Sequence, residues 1–210
     1  MFRGEDVRWL LILFFILLIG GCGIVAVEQP EFAVLDVEGA IQIRQYQPSI
    51  IAKTVVASGD MDSASNEGFR RIASFIFGNN TAKRKIAMTA PVTSSEERSE
   101  KIAMTTPVST QGVSGNFVIA FTMPSSYTLE TLPQPNDERV KIEQLPAKKM
   151  AVIRFSGTWT QKHFDEKTAE LQNWLSENEL QPKGEIIFAR YDPPWIPWFM
   201  RTNEVQIEIP

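Results

Sequence analysis

The chain carries one cysteine, Cys22, and one histidine, His163. A lone cysteine cannot close an intramolecular disulfide or build a thiolate metal cluster. A lone histidine leaves no Cys/His or Ser/His/Asp arrangement and few metalloenzyme sites to assemble. No nucleophile–base pair can be read from the rest, so the chain is expected not to be an enzyme. Asn79-Asn80-Thr81 fits a glycosylation sequon.

Cys22 has another use. Arg3 and Arg8 lead an apolar stretch from Trp9 to Ile19, which ends in Gly20-Gly21-Cys22-Gly23. A basic lead, an apolar run of roughly 7–15 residues and small residues after it are the parts of a secretory signal. Ile19-Gly20-Gly21-Cys22 resembles a bacterial lipobox, in which the signal is cut before the cysteine and the cysteine is acylated. The alternatives are plain secretion and an uncleaved anchor, since the run from Trp9 to Val27 has 19 residues, close to a bilayer span. Lipoprotein and anchor both tether the domain outside the cytoplasm, at a periplasmic or outer-membrane face. The expected division is residues 1–22 as signal or anchor, 23–30 as linker and 31–210 as the folded domain.

The composition suits one globular domain: 210 residues, 43% hydrophobic and 22% charged, with thirteen Phe and five Trp. The net charge of −4 argues against a nucleic-acid partner, whose phosphates call for a basic face. Lys83-Arg84-Lys85, the densest basic run, reads as a solvated loop.

Past Glu31, Phe32 to Val37 reads as a strand. Ile41-Gln42-Ile43-Arg44-Gln45-Tyr46 alternates apolar and polar residues as a half-buried strand does. Pro48 breaks the chain, and Ile50 to Ala57 is a β-branched run ending in Ser58-Gly59. Phe69, Ile72, Ala73 and Ile76 then share one helical face, closed by Gly78-Asn79-Asn80. The pattern recurs after 99 residues: Val140-Lys141-Ile142 answers Ile41-Gln42-Ile43, and Ala151 to Phe155 leads into Ser156-Gly157. A second helical face of Phe164, Thr168, Leu171 and Leu175 follows. Further strands are Asn116 to Met123, Glu185 to Tyr191 and Glu204 to Ile209. Two ββαββ units of this kind can close a mostly antiparallel sheet into a barrel with two helices on it.

Between the halves, Lys85-Ile86-Ala87-Met88-Thr89-Ala90-Pro91-Val92 is echoed 16 residues later by Lys101-Ile102-Ala103-Met104-Thr105-Thr106-Pro107-Val108. Near the C-terminus stand Tyr191-Asp192-Pro193-Pro194-Trp195-Ile196-Pro197-Trp198 and Arg201-Thr202-Asn203-Glu204-Val205. With Val37-Glu38-Gly39-Ala40 and the strand after it, these stretches resemble the SOUL haem-binding family over about Phe32 to Ile209, as a bacterial, lipoprotein-like member. The resemblance implies an α+β fold, a distorted eight-stranded β-barrel flanked by two helices. It implies reversible, non-covalent binding of haem or free protoporphyrin, as a carrier, buffer or sensor at a membrane surface. The expected partners are the tetrapyrrole and the membrane, with the protein a monomer. The competing reading is an envelope interaction or structural protein that uses the same fold without a ligand, because fold does not dictate function.

A porphyrin needs an apolar surface for its ring and cations for its propionates. The candidates for the surface are Phe69, Phe75, Phe77, Trp195, Trp198 and Phe199; those for the charge are Arg70, Arg71, Lys85, Lys101 and Arg201. The resemblance places Arg70 where the family's proposed propionate-contacting arginine falls, whereas Gly78 and Ile196 stand where relatives carry other basic contacts. Met88 and Met104 are duplicated thioethers of the kind that ligate haem iron. A methionine beside Ile and Ala in a strand is more often core filler. His163, at the start of the second helix, lacks any supporting ligand. No committed axial ligand is expected, and Pro91 and Pro107 are expected to end their strands.

Overall fold

The computed structural model describes residues 27–96 and 115–210. Within them nine strands and two helices follow in the order β1 (Phe32–Glu38), β2 (Ile41–Tyr46), β3 (Ser49–Ser58), α1 (Met61–Ile76), β4 (Val92–Glu96), β5 (Gly115–Thr122), β6 (Val140–Leu145), β7 (Lys148–Phe155), α2 (Gln161–Glu177), β8 (Lys183–Arg190) and β9 (Asn203–Ile209). All pairings are antiparallel, in one sheet ordered β1-β2-β7-β9-β8-β4-β5-β3-β6. Setting β1 aside, the order reads the same from both ends once β2 is matched with β6, β3 with β7, β4 with β8 and β5 with β9. The halves interleave: β2 pairs with β7 and β3 with β6.

The period-2 pattern of these strands divides the sheet into two faces. Ile41 and Ile43 of β2, Ile153 of β7, Val205 and Ile207 of β9, and Phe117, Ile119 and Phe121 of β5 are buried together on one of them. Both helices lie there, α1 over β3 and β5, α2 over β7 and β9. Asp60 starts α1 by accepting a hydrogen bond from the Ser63 N–H at 2.8 Å, an N-cap bond. Its inner stripe includes Ala64, Gly68, Ile72 and Ile76. Gly68 is required: a Cβ there would overlap the Ile119 side chain. On α2 the stripe is Phe164, Leu171 and Leu175, all buried. Each large apolar side chain so covered contributes about 1.5–3 kcal/mol relative to exposure.

The expected closed, eight-stranded barrel is corrected. Among the described residues the sheet has nine strands and stays open, ending at β1 and β6. The extra strand β1 occupies the outer side of β2, which closure would have used. β1 is exposed along its whole length and carries a register shift between Val34 and Asp36, a feature that blunts a sheet edge.

A second correction concerns Pro91, which precedes β4 and does not end a strand. Lacking an N–H, it cannot join the ladder, so pairing begins at Val92. Met88 therefore sits in an irregular segment, 38% exposed. That segment is held by the Ile86 N–H on the Ile76 carbonyl, the Ala90 N–H on the Glu28 carbonyl and the Thr89 hydroxyl on the Thr122 carbonyl.

Candidate functional site

Arg70, Ser74 and Phe77 succeed one another at i, i+4 and i+7, so they share the outer face of α1, with Phe69 flanking them. Two rings stay in water there, Phe69 at 39% and Phe77 at 59% exposure, although Phe69 also leans on buried Phe121 with ring centroids 5.5 Å apart. Arg70 is highly exposed and gives one bond, Nη2 to Glu67 Oε2 at 2.7 Å. Its remaining donors face solvent.

Arg71 is turned inward. Its Nε donates to Glu67 at 2.8 Å and its Nη1 to the Val55 carbonyl at 3.1 Å, so it pins α1 to β3. Phe75 is fully buried in the core, and the ring surface expected of it is absent. Lys85 is exposed in the segment after α1. Lys101, Met104 and Cys22 lie outside the described residues.

The Pro-rich loop between β8 and β9 carries a second apolar patch, with Trp195, Trp198, Phe199 and Met200 all more than half exposed. Arg201 holds its shape. Nε donates to the Ile196 carbonyl and Nη2 to the Pro194 carbonyl, both at 2.7 Å, and the guanidinium lies 4.2 Å from the Trp159 ring centroid. Arg201 is thus spent on the loop. Just before the loop, Arg190 bonds Asp62 in the first turn of α1 at 3.0 Å. Burial pushes the Arg190 guanidinium below its ordinary pKa, with the Asp62 carboxylate opposing. The root of the loop thus lies at the start of α1. At 1.5 Å per residue, Phe69 is about 10 Å and Phe77 about 22 Å further along the helix.

His163 is engaged in packing. Its Nδ1 lies 3.3 Å from the Thr158 carbonyl, its ring meets Phe155 edge-on at 5.0 Å, and it covers Gly157 so closely that a Cβ there would overlap it. Among the described residues no group of three His, Cys, Asp or Glu side chains could hold a metal ion. A cleft of about 450 Å³ beside Pro48 contains none of the sequence candidates. Three carboxylates, Glu28, Glu31 and Glu130, line it without a lysine or arginine, so it repels a propionate-bearing ring.

A buried polar network with little sign in the sequence lies on the other side of the sheet. On the helix-free face, Arg44 of β2 and Glu204 of β9 form a buried two-bond pair. Tyr191 donates to the same carboxylate at 2.7 Å, Gln206 at 2.8 Å, and the Tyr46 oxygen accepts from Arg44 Nη1 at 3.0 Å. Burial, and then the nearby Glu204 charge, raise both phenols above the ordinary tyrosine value. Burial opposes the charge on Arg44, but Glu204 and Tyr46 outweigh it and the guanidinium is held above its usual value. The cue in the sequence is Arg44 on a strand whose alternation implies one buried and one solvent-facing side.

Known proteins resemble this chain in sequence and in fold. The profile of a family described as "SOUL heme-binding protein" matches residues 27–208. Heme-binding protein 2 of Homo sapiens is 31% identical, over 80% of this chain and 77% of its own. Heme-binding protein 2 of Mus musculus is 29% identical, over 87% and 90%. Among solved structures, the C-terminal domain of EcmrR superposes with a TM-score of 0.60 at 11% identity, covering 81% of this chain and 96% of that one. A hydrolase from Listeria innocua superposes at 0.54 and 8% identity, over 84% and 94%. At such identities these two likenesses show the fold alone.

Proposed function

The chain belongs to the SOUL haem-binding family, and from that premise we propose that it binds haem or another tetrapyrrole reversibly, without covalent attachment, on the outer face of α1. The observation that carries this placement is the cluster of Phe69, Arg70 and Phe77. Two aromatic rings remain in water beside a guanidinium with spare donors, and a flat apolar ring with a carboxylate edge would cover the first and pair the second. Lys85, exposed beyond the end of the helix, adds a second cation. The rings of the Pro-rich loop extend the apolar surface beyond the other end of α1.

The residues fit the organic part of the ligand better than the metal. His163 is packed against Phe155 and Gly157, and Met88 is the one described thioether of the sequence motif. When bound, the macrocycle would supply light absorption and, with iron, redox and gas-binding chemistry; the protein would supply burial and propionate pairing. The role we propose is a carrier, buffer or sensor, acting as a monomer and as a binding protein instead of an enzyme. Lipid on Cys22 would hold it at an extracytoplasmic membrane surface. Titration of the protein with haem, followed by the Soret band, tests the central claim. Saturable binding that Arg70→Ala and Phe77→Ala weaken is expected; a spectrum identical to haem in buffer would refute it.

A further inference from the structure

The helix-free face of the sheet curls into a trough. A cavity of about 250 Å³ there is lined from both flanks of the sheet, by Tyr46 of β2 and by Glu143 and Leu145 of β6. Apolar side chains, Ile51, Val118, Ala120, Met150 and Ile187, form much of its wall, with the hydroxyls of Ser49, Thr93, Ser95 and Thr122 among them. At that volume it is smaller than the roughly 300–1,000 Å³ clefts that hold drug-sized ligands. It is therefore too small to enclose a tetrapyrrole, and it shares no residue with the α1 surface.

Its polar groups define what it can take. The charges around it are already matched: Lys53 pairs with Glu143, Lys148 with Glu208 at 2.9 Å, and Arg44 with Glu204. Glu204 accepts four hydrogen bonds, two from Arg44 and one each from Tyr191 and Gln206. Among the described residues that line it, no bare carboxylate remains for a cation and no unpaired cation for an anion. Tyr46 and Gln206 each keep one valence open. The Tyr46 oxygen accepts from Arg44 Nη1 and, at 3.4 Å, from Gln206 Nε2, which leaves its own O–H to donate. Gln206 spends Nε2 on Glu204 and Tyr46, which leaves its Oε1 to accept. A donor and an acceptor thus stand side by side in the trough, free to be matched by a single ligand group.

We propose that this trough is a second ligand site, taking a small uncharged molecule with an apolar body and one carboxamide or hydroxyl group. That group accepts from Tyr46 and donates to Gln206 at once, while the body lies between Val118, Ala120, Met150 and Ile187. The Tyr46 phenol is a donor at neutral pH, since even an unperturbed tyrosine ionises only near pH 10. The claim does not depend on where the tetrapyrrole binds.

The test uses benzamide, benzoate and benzylamine as probes on the isotope-labelled protein, followed by amide chemical shifts. Benzamide is expected to shift Tyr46, Ala120, Met150 and Gln206, and to bind at least tenfold more tightly than either charged analogue. Saturating haem should leave benzamide bound. Ala120→Leu, which fills the trough with an apolar side chain, should abolish benzamide binding and leave haem binding intact. Equal binding of benzoate or benzylamine, shifts confined to α1, displacement by haem, or no shift with benzamide at millimolar concentration would each overturn the proposal without bearing on haem binding itself.

Discussion

Arg44 and Glu204 stand 160 residues apart in the chain and meet through two hydrogen bonds of 3.0 and 3.1 Å, with side chains 2% and 1% exposed. The pair joins β2 to β9 across the intervening β7. Removing one member leaves a buried charge, which costs about 3–5 kcal/mol. Arg44→Met and Glu204→Leu should each lower the urea midpoint by that equivalent. The double variant should recover much of the loss, though not all, because Tyr191 and Gln206 then lack their acceptor. Single variants as stable as the wild type would show that the network adds nothing to the fold.

The same network sets the alkaline limit. Tyr46 and Tyr191 are both raised above their ordinary value, by burial first and by the Glu204 charge second. The unfolded chain ionises its tyrosines near pH 10, while the folded chain keeps these two neutral. Their contribution is therefore complete below about pH 10 and is lost as pH climbs toward the folded values. Phenolate absorbance from Tyr46 and Tyr191 should appear only together with loss of near-ultraviolet circular dichroism. Ionisation of both in a still-folded protein would contradict it.

Gly68 yields a prediction opposite in sign to helix propensity. In an open helix, Gly→Ala gains about 1 kcal/mol. Here the added methyl would run into Ile119 of β5, and overpacking of this sort costs about 1–3 kcal/mol. Gly68→Ala should lower the midpoint of chemical denaturation, and Ile119→Ala in the same chain should relieve part of the strain. A more stable Gly68→Ala would mean that α1 is free to move off the sheet.

Much of the scaffold was legible because its cues are local. Alternation in Ile41–Tyr46, the β-branched run ending at Ser58 and the stripe Phe164–Leu171–Leu175 all became the elements their periods imply. The first helix reached back to Met61 through an N-cap at Asp60, a cue that the apolar stripe alone does not carry. That the sheet stays open was not legible, since Phe32–Glu38 reads as a strand like any other and only long-range pairing puts it outside β2. The site was legible in part. Arg70 and Phe77 share a face by helical spacing, while Phe69, whose spacing puts it with Ile72 and Ile76, lies at the border of the core stripe and stays 39% exposed; nothing local distinguishes Arg70, which faces water, from Arg71, which binds Glu67 and Val55. The buried Arg44 network was hidden for the same reason: polar alternation marks a side of a strand, and a curled sheet can bury that side too.

The proposed membrane attachment rests on Ile19-Gly20-Gly21-Cys22. Labelled fatty acid should enter the wild-type protein, and Cys22→Ala should abolish the label and leave an unprocessed precursor. A wild-type protein that never takes up label, yet stays in the membrane fraction, would favour the uncleaved anchor. With Gly23 after the cysteine, where an aspartate would be the retention signal, the lipidated form should fractionate with an outer membrane if the cell has one.

The poverty of iron ligands shapes the last prediction. His163 is packed against Phe155 and Gly157, so affinity should come from ring burial and propionate pairing, and iron should add little. Haem and metal-free protoporphyrin should then bind within about tenfold of one another, or about 1.4 kcal/mol. Arg70→Ala should weaken both alike, by about 1 kcal/mol or roughly fivefold, since its exposed guanidinium makes a solvent-screened contact. His163→Ala should leave the Soret band where it is. If His163→Ala shifts the band and costs haem far more than protoporphyrin, the ring leaves its packed seat to ligate iron, and the metal, not the propionates, governs binding.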